Sequence, residues 1–194
     1  MPRRSSRRWA WPVSPSQKAR SETDFPEILQ WCGFQPPRCQ TRARGRAGHE
    51  VRLYTESSAV LAWLLGEEEG EHVRQLLSGA EDIFTSVLTL VETDRALIRA
   101  QVVENLKPVE VADRRRALAR ASRRWHLVNL VEEILDRARR PSPGELVRTL
   151  DALHLASALV VRASIPELTV LSLDHRIRSV CMESGFEVLP GAHG

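Results

Sequence analysis

Downstream of Val51 the chain alternates between short runs rich in β-branched and aromatic residues and longer runs with helical apolar spacing. No other feature constrains its fold as tightly. The stretches "VRLYT", "DIFTSV", "WHLVNL", "LTVLSLD" and "FEVLP" read as strands. Between them lie the helical runs "SSAVLAWLLG", "EEGEHVRQLLSG", "LTLVETDRALIRAQVV", "PVEVADRRRALARASRR", "VEEILDRARR", "GELVRTLDALHLASALVVRA" and "HRIRSVCMESG". Their punctuation supports the reading. Gly66 stands where a helix ends, Pro108 where one begins, and Pro141 and Pro143 stop another. The run from Pro108 should turn Val111, Ala112, Leu118 and Ala119 inward, and "LDALHLASALVV" is apolar nearly all round, as in a helix buried on most sides. Strands alternating with helices require crossover connections, so the sheet is parallel and covered on both faces. The expected fold is α/β: a doubly wound parallel sheet of about five strands flanked by helices, spanning residues 51–194.

Residues 1–50 break this pattern. They hold six of the eleven prolines, with neither a helical nor an alternating period, and such a segment buries too little apolar surface to offset the entropy of ordering. The expectation is a disordered extension, or a segment upstream of the true start of translation. No apolar stretch follows its arginines, which excludes a secretory signal. The segment also accounts for the basic pI of 9.1. It carries 10 of the 28 Lys/Arg and 4 of the 25 Asp/Glu, leaving 18 against 21 for the remainder. A broad basic footprint on the folded part is therefore not supported. Three cysteines, Cys32, Cys39 and Cys181, are too few and too irregular for a disulfide framework, and the pair at 32 and 39 lacks the second pair a zinc site would need. So sparse a cysteine set is expected to be reduced thiols of a cytoplasmic protein, and no run reaches the roughly 20 apolar residues of a membrane span.

Four carboxylates stand where such a sheet keeps its ligands. Glu56 ends the first strand and Asp174 the fourth, at carboxyl edges that open on one crevice if the two strands are neighbours. Glu92 lies in the first turns of its helix, where Thr89-x-x-Glu92 also satisfies a capping box. Asp151 sits among Leu150, Leu153, Leu155 and Ala158, an apolar setting in which an aspartate costs several kcal/mol unless it is paired or binds a cation. Glu56 and Asp174 have ordinary explanations too, as acids favoured at helix starts. Clustered carboxylates repel unless a cation neutralises them, and hard oxygen ligands select Mg²⁺ or Mn²⁺. Cations in such a site activate water and stabilise a leaving oxygen, which points to phosphodiester chemistry.

The stretches "YTESSAVLAWLLGE", "TSVLTLVETDRAL", "RTLDALHLASAL" and "VLSLDHRIRSVCMESGFEVLP" together resemble a PIN domain of the VapC-like ribonuclease toxins, in the family's order and over roughly residues 51–189. The resemblance implies a PIN-like fold and a metal-dependent endoribonuclease that is the toxin of a VapBC toxin–antitoxin pair. Carried over by position, the catalytic acids are Glu56, Glu92, Asp151 and Asp174, with Glu56, Asp151 and Asp174 as metal ligands. Ser58 and Ser172 occupy the places of supporting hydroxyl residues. The implied cofactor is Mg²⁺ or Mn²⁺, and the implied partners are an RNA substrate, a VapB-like antitoxin and a second copy of the chain. One departure is evident: the family's first acid is usually aspartate, and here it is Glu56, whose extra methylene changes the reach of the carboxylate. A catalytically impaired PIN-like module that binds RNA or a protein is the alternative. A phospho-acceptor receiver domain also gathers acids at strand ends, but it needs a lysine near them, and the domain has only Lys107, far from any strand end.

Substrate contacts are expected from Arg95, Arg148, His175 and Arg176, close in sequence to the acids. The run of Arg114, Arg115, Arg116, Arg120, Arg123 and Arg124 reads first as a solvated helix face, although such a run could also guide phosphates. His154 reads as a satisfied core histidine, with a proton carrier beside Asp151 as the sharper option. Trp63 and Trp125 read as core or interface residues.

Overall fold

The computed structural model describes residues 51–143 and 147–191, and the expected extension over residues 1–50 lies outside them. Twelve elements follow in order: β1 (Arg52–Thr55), α1 (Ser57–Leu65), α2 (Gly70–Gly79), β2 (Asp82–Ser86), α3 (Val87–Val103), α4 (Pro108–Ser122), β3 (His126–Val128), α5 (Glu132–Ala138), α6 (Thr149–Ser164), β4 (Leu168–Leu171), α7 (His175–Glu183) and β5 (Val188–Leu189). Each strand and helix anticipated downstream of Val51 forms, with ends shifted by a few residues.

All pairings are parallel, in the order β3-β2-β1-β4-β5. The chain builds outward from β1 through β2 to β3, then returns to the other side of β1 for β4 and β5. The strand order therefore reverses between β1 and β4, where Thr55 pairs with Leu171. The Glu56 amide extends the pairing by donating to the Leu171 carbonyl at 3.1 Å.

Alternation along the strands fills two cores. Tyr54, Phe84 and Val170 face one side with Ile134 of α5, Leu155 and Val161 of α6, and Ile177 and Val180 of α7. Leu53, Ile83 and Leu171 face the other with Val60 and Leu64 of α1, Val73 and Leu77 of α2, and Leu118 of α4. With apolar residues on both faces, the strands read as continuous apolar runs. In α4, Val111 and Leu118 are buried and Ala112 half-buried, but Ala119 is exposed. The helix packs along a narrower stripe than its alanine content suggests.

Two glycines set the α1–α2 corner. Gly66 takes a left-handed conformation (φ 74°) as its amide closes α1 on the Ala62 carbonyl. Gly70 begins α2 so close to α1 that a β-carbon there would lie 2.3 Å from the Ala62 oxygen. No described helix is long and apolar enough to cross a membrane.

Candidate active site

Glu56 follows β1 directly and caps α1, with only 5% of its surface exposed. A carboxylate so buried needs donors, and it has four. Ser57 Oγ donates to Oε1 at 2.6 Å, while the Ser58 amide (3.0 Å), Ser58 Oγ (2.5 Å) and Ser172 Oγ (3.0 Å) all donate to Oε2. Ser58 Oγ in turn accepts the amides of Leu173 and Asp174 at 2.9 and 3.0 Å. One hydroxyl thus ties the start of α1 to the loop after β4. The hydroxyls of Ser58 and Ser172, both in the expected set, each bond Glu56. Ser57 lies outside the expected set, and only its place between Glu56 and Ser58 marked it.

Asp174 caps α7, its Oδ1 accepting the amides of Arg176 and Ile177 at 2.8 and 3.2 Å. Asp151 differs from its sequence reading. Because α6 begins at Thr149, Asp151 lies in its first turn and is half-buried rather than deep among apolar residues. Its Oδ2 accepts the Arg148 amide at 3.1 Å. Burial pushes its carboxyl above the usual range and the charges of Asp174 and Glu56 add to this, against the Arg148 amide. Three helix N-termini, those of α1, α6 and α7, each carry one of these acids, where helix dipoles favour negative charge.

Glu92 reaches inward from α3. Its capping-box role is not realised, because Ser86 caps α3 by accepting the Leu88 amide, and the Thr89 hydroxyl accepts from Thr85 at 2.8 Å. Glu92 Oε2 instead meets His154 Nε2 at 2.7 Å. Ligand atoms of Glu56, Glu92 and His154 lie within 4.8 Å of one another. This tight group is not the trio expected from sequence: Asp151 and Asp174 are not among its members, and each has one oxygen engaged by a helix start.

Of the basic residues expected near substrate, Arg148 precedes α6, His175 and Arg176 begin α7, and Arg95 lies one turn beyond Glu92 on α3. Arg95, Arg148 and His175 are exposed. The α4 arginines have local roles instead. Arg114 donates to the Leu64 carbonyl at 2.9 Å, Arg115 pairs with Asp94 at 2.8 Å, and Arg116 pairs with Asp113. Trp125 is buried in the second core, against which Trp63 also packs.

The sequence matches the PIN domain family over residues 53–182. The chain belongs to the PIN domain family. Ribonuclease VapC46 of Mycobacterium tuberculosis is 31% identical to this PIN domain protein over 137 residues, which cover 71% of this chain and 95% of VapC46. Two solved structures resemble it at lower identity. One is VapC20 of Mycobacterium tuberculosis, a Sarcin-Ricin loop cleaving toxin (TM-score 0.49, 15% identity, 69% of this chain and 95% of that one). The other is VapBC2 of Rickettsia felis bound to a promoter DNA fragment (TM-score 0.47, 9% identity, 71% of this chain and 97% of that one).

The donor set of this PIN domain fits a divalent cation. Carboxylate oxygens predominate, and among the described residues no lysine or arginine forms an ion pair with Glu56, Glu92, Asp151 or Asp174. Buried or crowded acids without a cationic partner are where a hard ion is stabilising. His154 is the member of the group that the acidic pattern alone leaves out. Its place three residues after Asp151 was the available signal.

Proposed function

We propose that the chain is a metal-dependent endoribonuclease, the toxin of a toxin–antitoxin pair, which hydrolyses RNA phosphodiester bonds with residues 51–194 as its catalytic unit. The observation that carries this reading is the buried Glu56 at the switch between β1 and β4 with the Glu92 carboxylate close to it, in a PIN family chain. Glu56, Asp151 and Asp174 are the proposed ligands of Mg²⁺ or Mn²⁺, with Glu92 completing the catalytic acids. When bound, such a cation neutralises the acids and lowers the pKa of a bound water. The chain itself supplies position: Ser57, Ser58 and Ser172 hold Glu56, and the starts of α6 and α7 hold Asp151 and Asp174. Arg95, Arg148, His175 and Arg176 are the proposed contacts to RNA phosphates.

Kinship with VapC46 supports a VapB-like antitoxin as protein partner and the cytoplasm as the working compartment. Val91, Ile98 and Val102 are exposed at roughly helical spacing along α3, an apolar stripe that supports pairing of two copies. Sedimentation of the full chain tests that pairing.

The alternative, a binding module with impaired catalysis, draws on Glu56 itself, whose Oε2 already accepts three hydrogen bonds. One assay separates the two: cleavage of a mixed RNA pool by the full chain with Mg²⁺ or Mn²⁺ against EDTA, beside Asp151→Asn and Glu56→Asp. Metal-dependent cutting lost in Asp151→Asn supports the nuclease. Cutting that appears only in Glu56→Asp supports a site detuned by the longer acid. Silence from all three folded proteins supports the binding module.

A further inference from the structure

His154 is the buried polar group that the acidic reading does not use. Only 2% of its surface is exposed, and both ring nitrogens have partners. Nε2 meets Glu92 Oε2 at 2.7 Å, and Nδ1 meets the Tyr54 hydroxyl at 3.1 Å. The chain Tyr54–His154–Glu92 therefore links β1, α6 and α3 through the protein interior. It does not involve Asp151, its neighbour on α6.

The hydrogen-bonding capacities restrict which nitrogen carries the proton. The Tyr54 ring is 1% exposed, and an ordinary phenol keeps its proton at neutral pH. Its hydroxyl has a hydrogen to donate, while the carboxylate at the other ring nitrogen can only accept. Nδ1 is an acceptor for that hydrogen. A neutral ring accepting at Nδ1 carries its own hydrogen at Nε2, and Glu92 Oε2 can only accept it. Local backbone bonds do not hold Glu92: α3 is capped by Ser86, and the glutamate stem has three rotatable bonds. Without an outside donor, its carboxylate is free to swing away from Glu56.

We propose that His154, locked by Tyr54 as the Nε2–H tautomer, is a positioning residue that fixes the Glu92 carboxylate beside Glu56 and thereby sets the affinity of the site for a divalent cation. This rests on the nuclease reading above and adds Glu92 to its three proposed cation ligands. Outer partners of this kind typically account for about 10–100-fold in metal affinity. The histidine acts on the site through Glu92 and not as a ligand, because its Nε2 lone pair is occupied by the hydrogen it donates.

The test is Mn²⁺ binding to the full chain, followed by electron paramagnetic resonance without RNA, together with ¹⁵N shifts of the His154 ring at neutral pH. Thermal melts establish that each variant is folded. His154→Gln keeps a side-chain N–H donor toward Glu92, His154→Leu removes it, and Tyr54→Phe removes only the hydroxyl that sets the tautomer. The expected result is an Nε2–H pattern in the parent, Mn²⁺ affinity lowered about tenfold or more in His154→Leu and Tyr54→Phe, and substantial recovery in His154→Gln. Parent affinity in folded His154→Leu would reduce the histidine to a packing role and overturn the inference. Nitrogen hyperfine coupling from His154 in the Mn²⁺ spectrum, with no recovery in His154→Gln, would overturn it in favour of direct ligation. Failure of the parent to bind Mn²⁺ at all would remove the nuclease reading first, and this role with it.

Discussion

Ser172 donates its hydroxyl to Glu56 Oε2 at 3.0 Å, joining residues 116 positions apart across the switch between β1 and β4. The same hydroxyl accepts the Asp174 amide at 3.2 Å, so one side chain holds an acid of β1 and the backbone of the acid after β4. The spacing between Glu56 and Asp174 is thus set by serines rather than by the acids, which repel.

Removing these donors should separate their roles. Ser172→Ala takes one donor of four from a buried carboxylate and should cost about 1–2 kcal/mol. Ser58→Ala removes a donor to Glu56 and the acceptor of two amides, and should cost more, about 2–3 kcal/mol. Urea denaturation of the full chain without metal measures both. Equal effects would mean that the Leu173 and Asp174 amides find water once Ser58 is gone.

Asp151 predicts how stability depends on pH and metal. Its carboxyl is raised above the ordinary 3.8, chiefly by burial. The folded chain therefore keeps this proton to higher pH than the unfolded chain, and the contribution to stability falls as pH rises through the window above 3.8. In EDTA at neutral pH, Asp151→Asn should melt higher than the parent. Mn²⁺ should raise the melting temperature of the parent and raise that of Asp151→Asn less. A variant less stable than the parent in EDTA would show that the Arg148 amide outweighs the burial and repulsion.

Cys181 should be inert while the chain is folded. Burial pushes its thiol up to about 12 and the charge of Glu56 adds to this, although the thiolate is the reactive form. Peptide mapping after iodoacetamide treatment at pH 8 should find Cys181 unmodified in the native protein and modified in urea. Rapid native alkylation would indicate that α7 opens.

Arg178 should matter to the site although its guanidinium bonds none of the acids' carboxylates. Its guanidinium donates to the carbonyls of Ser172, Leu189 and Pro190 at 2.8, 3.0 and 2.6 Å, fixing the loop after β4 against the end of β5. An ammonium on a flexible stem cannot reproduce that fork. Arg178→Lys should cost about 1–3 kcal/mol and lower RNA cleavage, whereas Arg139→Lys, on an exposed arginine of the α5 end, should leave both unchanged. Denaturation and the RNA assay read the two effects.

Much of the fold was legible in the sequence because its cues act over a few residues. Apolar period, Pro108 and Gly66 mark element type and ends within one or two turns. The four acids were legible for the same reason, since strand ends and helix starts are local positions. The caps formed by Glu56 and Asp174 are real, and Ser58 bonds both the Glu56 carboxylate and the Asp174 amide. The ordinary explanation as helix caps therefore holds at both positions. Glu92 differs, because its local explanation fails once α3 starts at Val87.

What the sequence by itself determined is an alternating α/β chain with acids at the carboxyl ends of its strands, because periodicity and capping are properties of short windows. Only the tertiary structure decided that β1 lies beside β4, that Ser172 reaches Glu56, and that His154 turns to Glu92 and Tyr54 rather than to Asp151. Those contacts span 62 to 116 residues of chain. They depend on strand order and on two cores packing at once, and no local pattern encodes which distant donor a buried carboxylate will meet.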